Sequence, residues 1–536
     1  MKCLGRCVWF TLALWLLPSL GGCHYRVERD PSVVVYYLPS DPQSLNPIVA
    51  TDATQNVANE FVTETLLRRT NANFNLEPLL AERWEESPDH LHYTFYLRHG
   101  VQWHDHQPFT ARDVLYSFER INDPKVGAAH LSSYFQKSGI TGAELLDDFT
   151  IRFNLERPYV FALETIAFMP IVPRHVFDNG EEFRKHAANR APIGTGPMRF
   201  VEWKTARQIR VERFPDYWGT PMALQGVVYK IINDQWVAFQ ALKKGEIDVS
   251  GVRAIQWAKQ TNSAAFRRRF TKTEYEPYSA GYSYIGWNLR RPLFADRRIR
   301  QALTMLIPRE ELIRKLFFGS GHVAAGTFYD HGPQHDPSLA PWPYDPERAL
   351  QLLEEAGWTD HDGDGIRDKN GEPFRFTFLY PGPSRTVDSL SSIIREDLRK
   401  VGIIVEVRQM EWTVFLQTTH DHQFDAVFGG WTGDYESDPH QIWHSSQQAE
   451  GSNYIGFANP EVDQLIEAAR VEFDPAKRNA LYHRMDRIIH EEQPCTFLFV
   501  FTSRLVRHQR FTQVQVYPGG VDMREWGVGP SEVLYQ

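Results

Sequence analysis

The sequence has 536 residues, of which 58 are lysine or arginine and 67 are aspartate or glutamate, so the formal net charge at pH 7 is -9. This balance provides no basic surface of the kind that binds nucleic acid. The length is sufficient for more than one domain, and 42% hydrophobic residues are typical of a soluble globular protein.

The first 22 residues have the layout of a secretory signal. Two basic residues precede an apolar run from Val8 to Leu17, which is too short to span a bilayer comfortably. The segment ends in Leu20-Gly21-Gly22-Cys23, which resembles a bacterial lipobox. We therefore predict that residues 1–22 are removed and that Cys23 is lipidated, which would anchor the protein to a membrane surface. The alternative is an ordinary signal peptidase site nearby.

Strands, turns and helices follow in close succession. Val33 to Leu38 is predicted to be a short strand, which precedes an Asp-Pro turn at residues 41–47 and a helix through Leu66. Between Leu91 and Leu97, apolar and polar residues alternate, which predicts a strand with one buried face. Thr110, with Asp113 three residues later, then predicts the start of a helix.

The block from Tyr93 to Val114 resembles the "Y-x-F-x-L-R-x-x-V-x-[FW]-H-D-G-x-P-[FL]-T-A-x-D-V" pattern of the family 5 extracellular solute-binding proteins. These proteins are the receptors of oligopeptide, dipeptide and nickel ATP-binding-cassette importers. The visible departure is His106, where the family usually has glycine. An Asp-Gly turn commonly needs a positive φ, which histidine tolerates less well, so we expect the local turn to differ here.

Further blocks resemble the same family at residues 170–177, 194–200, 214–219, 238–249 and 284–312. Within and after them, Asp296 is a plausible N-cap, and Asp345-Pro346 is predicted to begin another helix. A helix that ends at Val401-Gly402 is predicted to pass into a strand from Ile403 to Val407. Such a helix-to-strand step is typical of α/β proteins.

The segment from residue 360 to residue 368 is rich in aspartate. Carboxylates at alternate positions followed by glycine can form an oxygen cage for calcium, and the candidate ligands are Asp360, Asp362, Asp364 and Asp368. However, Gly371 occupies the position of the bidentate glutamate of an EF-hand, and no helix is evident on the far side. A structural calcium site and a solvated loop of Asp-Gly turns therefore both remain open. We predict no required cofactor.

Two pairs of histidines could also hold a transition metal such as nickel or zinc. His104 and His106 are two residues apart, as are His420 and His422. The spacing assigns no third ligand, and both pairs lie in polar, turn-like sequence, so a functional metal site is the weaker interpretation.

The segment from Val427 to Pro439 is the strongest candidate for contact with a ligand. The apolar residues Ala426 to Phe428 predict the end of a strand, after which glycines let the backbone approach a ligand closely. The segment resembles "G-W-x-x-D-Y-x-D-P" of peptide-binding family members, in which the aspartate receives the peptide α-ammonium. The resemblance gives this role to Asp434 and makes Trp431 and Tyr435 further candidate contacts. This chain has one additional residue before Asp438, and the alternative interpretation is a surface turn.

The resemblance implies an α/β fold of the periplasmic-binding-protein-like class II type, with two lobes that close through a hinge and an extra domain. By analogy with the family, domain I comprises residues 31–68, 190–285 and 508–536. Domain II comprises residues 69–189, and domain III comprises residues 286–507.

The predicted function is that of a substrate-binding lipoprotein, exported and anchored in the bacterial cell envelope. It would act as a monomer that captures short peptides and delivers them to the permease and ATPase subunits of an ATP-binding-cassette importer. We predict no enzymatic activity. The alternatives are a receptor for a nickel chelate or another solute, because one fold accepts many ligands, and a metal-assisted hydrolase.

Overall fold

The computed structural model describes residues 29–449 and 451–530. The predicted signal segment and Cys23 lie outside these residues. Within the described part of the chain, no helix combines the length and the apolar character needed to cross a membrane.

Three sheets define three lobes. Lobe I contains a seven-stranded sheet with the strands, in spatial order, Phe270–Tyr275, Ser503–His508, Val249–Gly251, Val33–Leu38, Gly226–Ile231, Gln208–Arg213 and Met198–Lys204. Lobe II contains the four strands Ala81–Glu86, His92–Leu97, Thr150–Leu155 and Ile140–Asp147. Lobe III contains the five strands Ile404–Met410, Arg375–Pro381, Ala426–Trp431, Tyr282–Trp287 and Cys495–Phe497.

The other strands form short ribbons of two. These ribbons are Leu67–Arg69 with Leu76–Pro78, His322–Val323 with Phe499–Val500, Asp368–Lys369 with Glu372–Pro373, and Phe511–Thr512 with Gly527–Val528. The α-helices of the described residues are Ala53–Asn59, Ala111–Asn122, Ala129–Lys137, Ala162–Ala167, Arg174–Phe177, Gln235–Lys244, Ala254–Gln260, Ala264–Arg267, Pro292–Ala295, Arg297–Met305, Arg309–Phe317, Pro346–Glu355, Arg385–Arg399, Trp412–His420, His440–Trp443, Pro460–Arg470 and Pro475–Glu492.

The sheet of lobe I joins distant parts of the chain. The strand Val33–Leu38 runs parallel to Gly226–Ile231, and the strand Ser503–His508 pairs with both Val249–Gly251 and Phe270–Tyr275. A buried ion pair adds to this connection, because the Arg510 guanidinium donates to both carboxylate oxygens of Asp248. These two side chains are each only 1% exposed.

In lobe II, the strand and helix predicted near residue 100 are confirmed. The helix Ala111–Asn122 begins where the Asp113 carboxylate accepts the Thr110 N–H at 2.9 Å. The expectation of an altered turn at His106 is wrong, because this residue adopts a φ of 66°, in the left-handed region that glycine favours. Its N–H donates to the Trp103 carbonyl at 2.8 Å, which closes the turn.

Lobe III has the predicted helix-to-strand order. The helix Arg385–Arg399 connects the parallel strands Arg375–Pro381 and Ile404–Met410. The helix Pro346–Glu355 ends near Gly357, which has a φ of 85°. In lobe I, by contrast, the helix Ala53–Asn59 ends well before Leu66, because Phe61 and Val62 turn to pack in the lobe I core.

Two chain segments cross between lobe I and lobe III. Residues 276–281 connect the strands Phe270–Tyr275 and Tyr282–Trp287, and residues 501–502 precede the strand Ser503–His508. This last strand belongs to the lobe I sheet and lies before the domain boundary predicted at residue 508. The division into three domains otherwise stays a prediction.

Candidate functional site

The candidate site begins at an incompletely paired strand of lobe III. The strand Ala426–Trp431 does not end at Phe428, as the sequence predicts, but continues through both glycines. On one side of Ala426–Trp431, the strand Tyr282–Trp287 pairs along the full length. On the other side, the pairing with Arg375–Pro381 ends at Val427. Within the described residues, Phe428–Trp431 therefore has strand hydrogen bonds on one side only. Such an edge can accept an extended backbone as a further strand.

Asp434 follows this edge directly. Its carboxylate is exposed and accepts the Tyr435 N–H at 2.7 Å. Although the carboxylate reaches solvent, surrounding protein reduces its hydration, and this loss raises its pKa. The Tyr435 hydrogen bond and the positive charge of Arg69 oppose this rise.

Asp434 differs from the acidic residues around it. Each neighbouring carboxylate in this region has an arginine as its ion-pair partner, and the pairs are Glu164 with Arg69, Glu436 with Arg478, and Asp438 with Arg470. Among the described residues, no side chain forms an ion pair with Asp434. This carboxylate is therefore available to a cationic group of a ligand.

Aromatic rings close one end of the site. The ring of Tyr435 stacks on Phe74 of lobe II, with centroids 4.2 Å apart and an interplanar angle of 18°. The Arg69 guanidinium lies 5.6 Å from the centroid of the Tyr435 ring, a distance suited to a cation-π contact. Tyr278, on a crossing segment, meets the edge of Phe74 at 5.3 Å. Lobes II and III thus meet immediately beside Asp434.

Trp431 is half-buried and belongs to an aromatic group in lobe III. Its ring lies nearly parallel to those of Tyr284 and Tyr454, with centroid distances of 6.3 Å and 6.2 Å. Behind this group is a cavity of about 10 Å³, lined in part by these three rings. Such a volume has room for about one water molecule and not for a ligand side chain.

A second contact joins lobes II and III near the site. The Tyr159 hydroxyl of lobe II donates to the Asp438 carboxylate at 2.8 Å, and Arg470 donates to the same oxygen at 2.9 Å. The Val160 N–H donates to the Arg470 carbonyl, also at 2.9 Å. These hydrogen bonds hold the two lobes together.

Sequence reasoning identified Trp431, Asp434 and Tyr435, and the structure places them on one continuous segment of lobe III. It did not identify the contribution of lobe II, which consists of Arg69, Phe74, Tyr159 and Glu164. No local motif marks these residues, because their contacts join positions that are hundreds of residues apart.

The aspartate-rich segment lies on another part of lobe III. Carboxylate oxygens of Asp360, Asp362 and Asp368 lie within 4.8 Å of one another, so these three residues could hold a cation. Asp360 also accepts the Gly363 and Gly365 N–H groups at 2.8 Å and 3.0 Å. Asp364 is not part of this group, and its carboxylate accepts the Ile366 N–H at 2.8 Å.

Among the described residues, neither histidine pair belongs to a group of three or more side chains that could share a metal ion. His104 is buried, and its two ring nitrogens bond to the Gly196 carbonyl and the Gly194 N–H. Both nitrogens are therefore occupied. His420 is exposed and lies beside Asp421, whereas one ring nitrogen of His422 faces the Tyr454 carbonyl.

Known proteins resemble this chain along most of its length. The family model described as bacterial extracellular solute-binding proteins, family 5 Middle, matches residues 75–453. The oligopeptide-binding protein AppA of Bacillus subtilis is 29% identical over 89% of this chain and 88% of its own. The di/tripeptide-binding protein 2 of Pseudomonas aeruginosa is 30% identical over 78% of this chain and 80% of its own.

Solved structures show the same fold. AppA in complex with a nonapeptide has a TM-score of 0.74 at 27% identity, and the match covers 93% of this chain and 99% of that one. NikZ of Campylobacter jejuni in complex with Ni(L-His) has a TM-score of 0.76 at 25% identity, with coverages of 93% and 100%. These likenesses confirm the periplasmic-binding-protein fold. The chain belongs to the family 5 bacterial extracellular solute-binding proteins.

Proposed function

We propose that this protein is the peptide receptor of an ATP-binding-cassette importer, with Asp434 as the residue that binds the α-ammonium of the peptide. The observation that carries this proposal is the position of Asp434, a carboxylate without an ion-pair partner among the described residues, directly after the one-sided strand Phe428–Trp431. An extended peptide can add its backbone to this edge while its amino terminus pairs with the carboxylate.

The closed end of the site favours a free amino terminus. Tyr435 and Phe74 stack beside Asp434, and this contact joins the segment that carries Asp434 to lobe II. A peptide whose α-ammonium pairs with Asp434 therefore points its first residue toward this barrier. The names of the relatives, which describe oligopeptide and di/tripeptide binding, support a peptide ligand.

A nickel chelate is the second candidate ligand. The observation in its favour is the likeness to NikZ with bound Ni(L-His). We give it second place because Asp434 offers a carboxylate suited to an ammonium and because the described residues place no histidine of the two predicted pairs beside it.

Native mass spectrometry of protein purified from its own host, with elemental analysis of the same sample, tests both ligands. We expect a co-purifying mixture of short peptides. A stoichiometric transition metal in place of peptides would support the chelate and contradict the peptide proposal. Because we propose binding without catalysis, a peptide incubated with the protein should be recovered intact, and its cleavage would indicate a hydrolase.

We further propose that the protein acts as a monomer, anchored through Cys23 in the bacterial cell envelope, where the permease and ATPase subunits receive its ligand. The family description as extracellular supports export. Cys23→Ser should release the protein from membranes, because acyl chains and not a helix hold it there. Labelling with radioactive palmitate measures this directly. Label or membrane attachment that persists in the variant would contradict the anchor.

A further inference from the structure

A group of basic side chains lies at one edge of the lobe I sheet, away from the ligand site. Residues 243–272 contain eight basic residues and two acidic ones, although the chain as a whole has a net charge of -9. The composition of the whole chain conceals this local excess of positive charge. Five of the basic residues lie close together, and we call this group the basic edge: Lys243, Lys244, Arg267, Arg268 and Arg269.

Hydrogen bonds bring the two parts of the basic edge together. The Arg269 guanidinium donates to the Lys243 carbonyl at 2.8 Å, at the end of the helix Gln235–Lys244. The Arg269 carbonyl in turn accepts the N–H of Gln509, the residue that follows the strand Ser503–His508, at 3.0 Å. The run of three arginines is therefore fixed beside the two lysines.

The positive charge of the basic edge is not neutralised within the described part of the chain. None of its five side chains forms an ion pair there, and Lys244, Arg267 and Arg268 are exposed. The two carboxylates of this segment already have other cationic partners, and the pairs are Glu246 with Lys230 and Asp248 with Arg510. Five unpaired cations at one place favour an anionic partner outside the chain.

The amino-terminal end of the described chain lies at the same edge. The Arg29 guanidinium donates to the carbonyls of Gly245 and Glu246, which directly follow the helix that carries the two lysines. Arg29 is the sixth residue after Cys23, and six residues span about 22 Å at most. If Cys23 is lipidated as proposed, the basic edge therefore stays close to the membrane surface.

The two connections to lobe III lie at the opposite edge of the sheet. The strand Phe270–Tyr275 begins directly after Arg269 and leads to the crossing segment 276–281 at its other end. The second crossing segment, residues 501–502, precedes the antiparallel strand Ser503–His508 and thus lies at the same far end. A contact of the basic edge with another surface therefore leaves both crossing segments uncovered.

We propose that the basic edge binds the anionic headgroups of a membrane surface, so that lobe I lies against the lipid while lobe III stays free to move. Unpaired lysines and arginines complement phospholipid phosphates, and the short connection to Cys23 keeps the edge near them. The same surface repels the rest of this acidic chain, which selects one orientation. The proposal rests on the proposed anchor only for bringing the edge to the lipid.

The basic edge alone should bind a membrane only weakly. Each lysine or arginine near an anionic surface raises the affinity about fivefold, so five of them contribute roughly three thousand-fold. This is similar to the marginal, reversible attachment that a single acyl chain gives. The unlipidated protein therefore still leaves membranes at physiological salt, whereas its binding to anionic vesicles is measurable at low ionic strength.

Sedimentation of the full-length Cys23→Ser protein with vesicles tests the contact without the anchor. At low ionic strength, we expect binding to vesicles of equal parts phosphatidylglycerol and phosphatidylcholine. Binding to pure phosphatidylcholine should be much weaker, and added salt should remove the difference. Replacing three exposed residues of the basic edge in this background should lower the affinity for the anionic vesicles by about 100-fold. The substitutions are Lys244→Gln, Arg267→Gln and Arg268→Gln.

The matched control removes the same charge from lobes II and III. It replaces three exposed basic residues that form no ion pair within the described part of the chain, and the substitutions are Lys125→Gln, Arg314→Gln and Lys477→Gln. Its affinity should stay close to that of Cys23→Ser alone. Equal affinities of the two triple variants would overturn the proposal, because net charge and not the basic edge would then determine binding.

The comparison of the two vesicle compositions needs no substitution in the basic edge, so it decides the matter if circular dichroism shows that a triple variant is misfolded. Equal binding of Cys23→Ser to both compositions, or no binding to either, would also overturn the proposal. Failure of the wild type to incorporate palmitate would contradict only the anchor, because every vesicle measurement uses protein without it.

Discussion

Asp434 is the residue that most directly decides the proposed ligand chemistry. A peptide ammonium that enters the site loses water, and an unpaired carboxylate is the partner that best offsets this cost. Asp434→Ala should therefore lower the affinity for a peptide with a free amino terminus by about 2–5 kcal/mol, or roughly thirty-fold to several thousand-fold. Calorimetric titration measures this change.

The same peptide with an acetylated amino terminus is the control. It lacks the charge, so it should bind the wild type poorly and respond much less to the substitution. The four combinations of protein and peptide give the coupling energy between the carboxylate and the ammonium. Equal losses for both peptides would mean that Asp434 does not bind the amino terminus.

His104 gives the stability of the fold a dependence on pH. Burial lowers its pKa to about 4 from the usual value of 6.5. The unfolded chain thus binds a proton on this ring below about pH 6.5, whereas the folded chain does so only near pH 4, so stability falls as the pH falls through this range. From the difference in pKa, the loss is about 3 kcal/mol at pH 4.

Chemical denaturation of the wild type and of His104→Gln at pH 7 and pH 4 measures this contribution. The variant loses stability at both pH values because glutamine cannot reproduce both hydrogen bonds of the ring. Its additional loss on acidification should be smaller than that of the wild type. Equal acid-dependent losses in the two proteins would exclude His104 as the source.

Among the elements of the fold, the aspartate-rich loop is the one for which calcium binding stays a prediction. If Asp360, Asp362 and Asp368 hold calcium, binding to the folded state raises its stability by mass action. The melting temperature should increase with added calcium and decrease with chelator. Asp362→Asn should reduce this response, whereas Asp148→Asn, at an exposed carboxylate of lobe II, should preserve it. A melting temperature that changes with neither calcium nor chelator would identify the loop as a simple turn.

Elements with strong local signals could be predicted from the sequence. The capping residues Thr110 and Asp296 each mark the start of a helix, because the side chain and the backbone that it caps are close in sequence. The helix predicted through Leu66 ends at Asn59, because packing of Phe61 in the lobe I core overrides helical periodicity.

The candidate site could be predicted only in its lobe III half. Asp434 lies in a continuous family motif, so a local comparison finds it. Arg69 and Tyr159 meet this segment only after the chain has folded, and their spacing in the sequence carries no information about that contact. For the same reason, the sequence could not show that the other carboxylates near Asp434 already have arginine partners.

For the whole molecule, we expect the contact between lobes II and III near Asp438 to link ligand binding to lobe closure. Tyr159→Phe removes the hydroxyl that donates to Asp438 and keeps the ring. The closed arrangement should lose about 1 kcal/mol, which lowers the affinity for peptide roughly fivefold, because a less populated competent state weakens apparent binding. Tyr96→Phe removes a similar bond to Glu85 on an exposed surface and is the control. Equal peptide affinities in these two variants would exclude this contact from closure.

The seven-stranded sheet of lobe I also determines the order in which the chain can fold. Its strand Val33–Leu38 is made before lobes II and III, whereas Ser503–His508 and Arg510, the partner of Asp248, are made after them. Lobes II and III each consist of sequence between these positions, so they can form as units before lobe I is complete. The strand Val33–Leu38 can pair with Gly226–Ile231 and Val249–Gly251 before lobe III is made, but the sheet lacks Ser503–His508 until lobe III has been made. Ribosomes that stop before residue 503 would leave a chain whose lobe I lacks both a strand and the arginine partner of the buried Asp248 carboxylate.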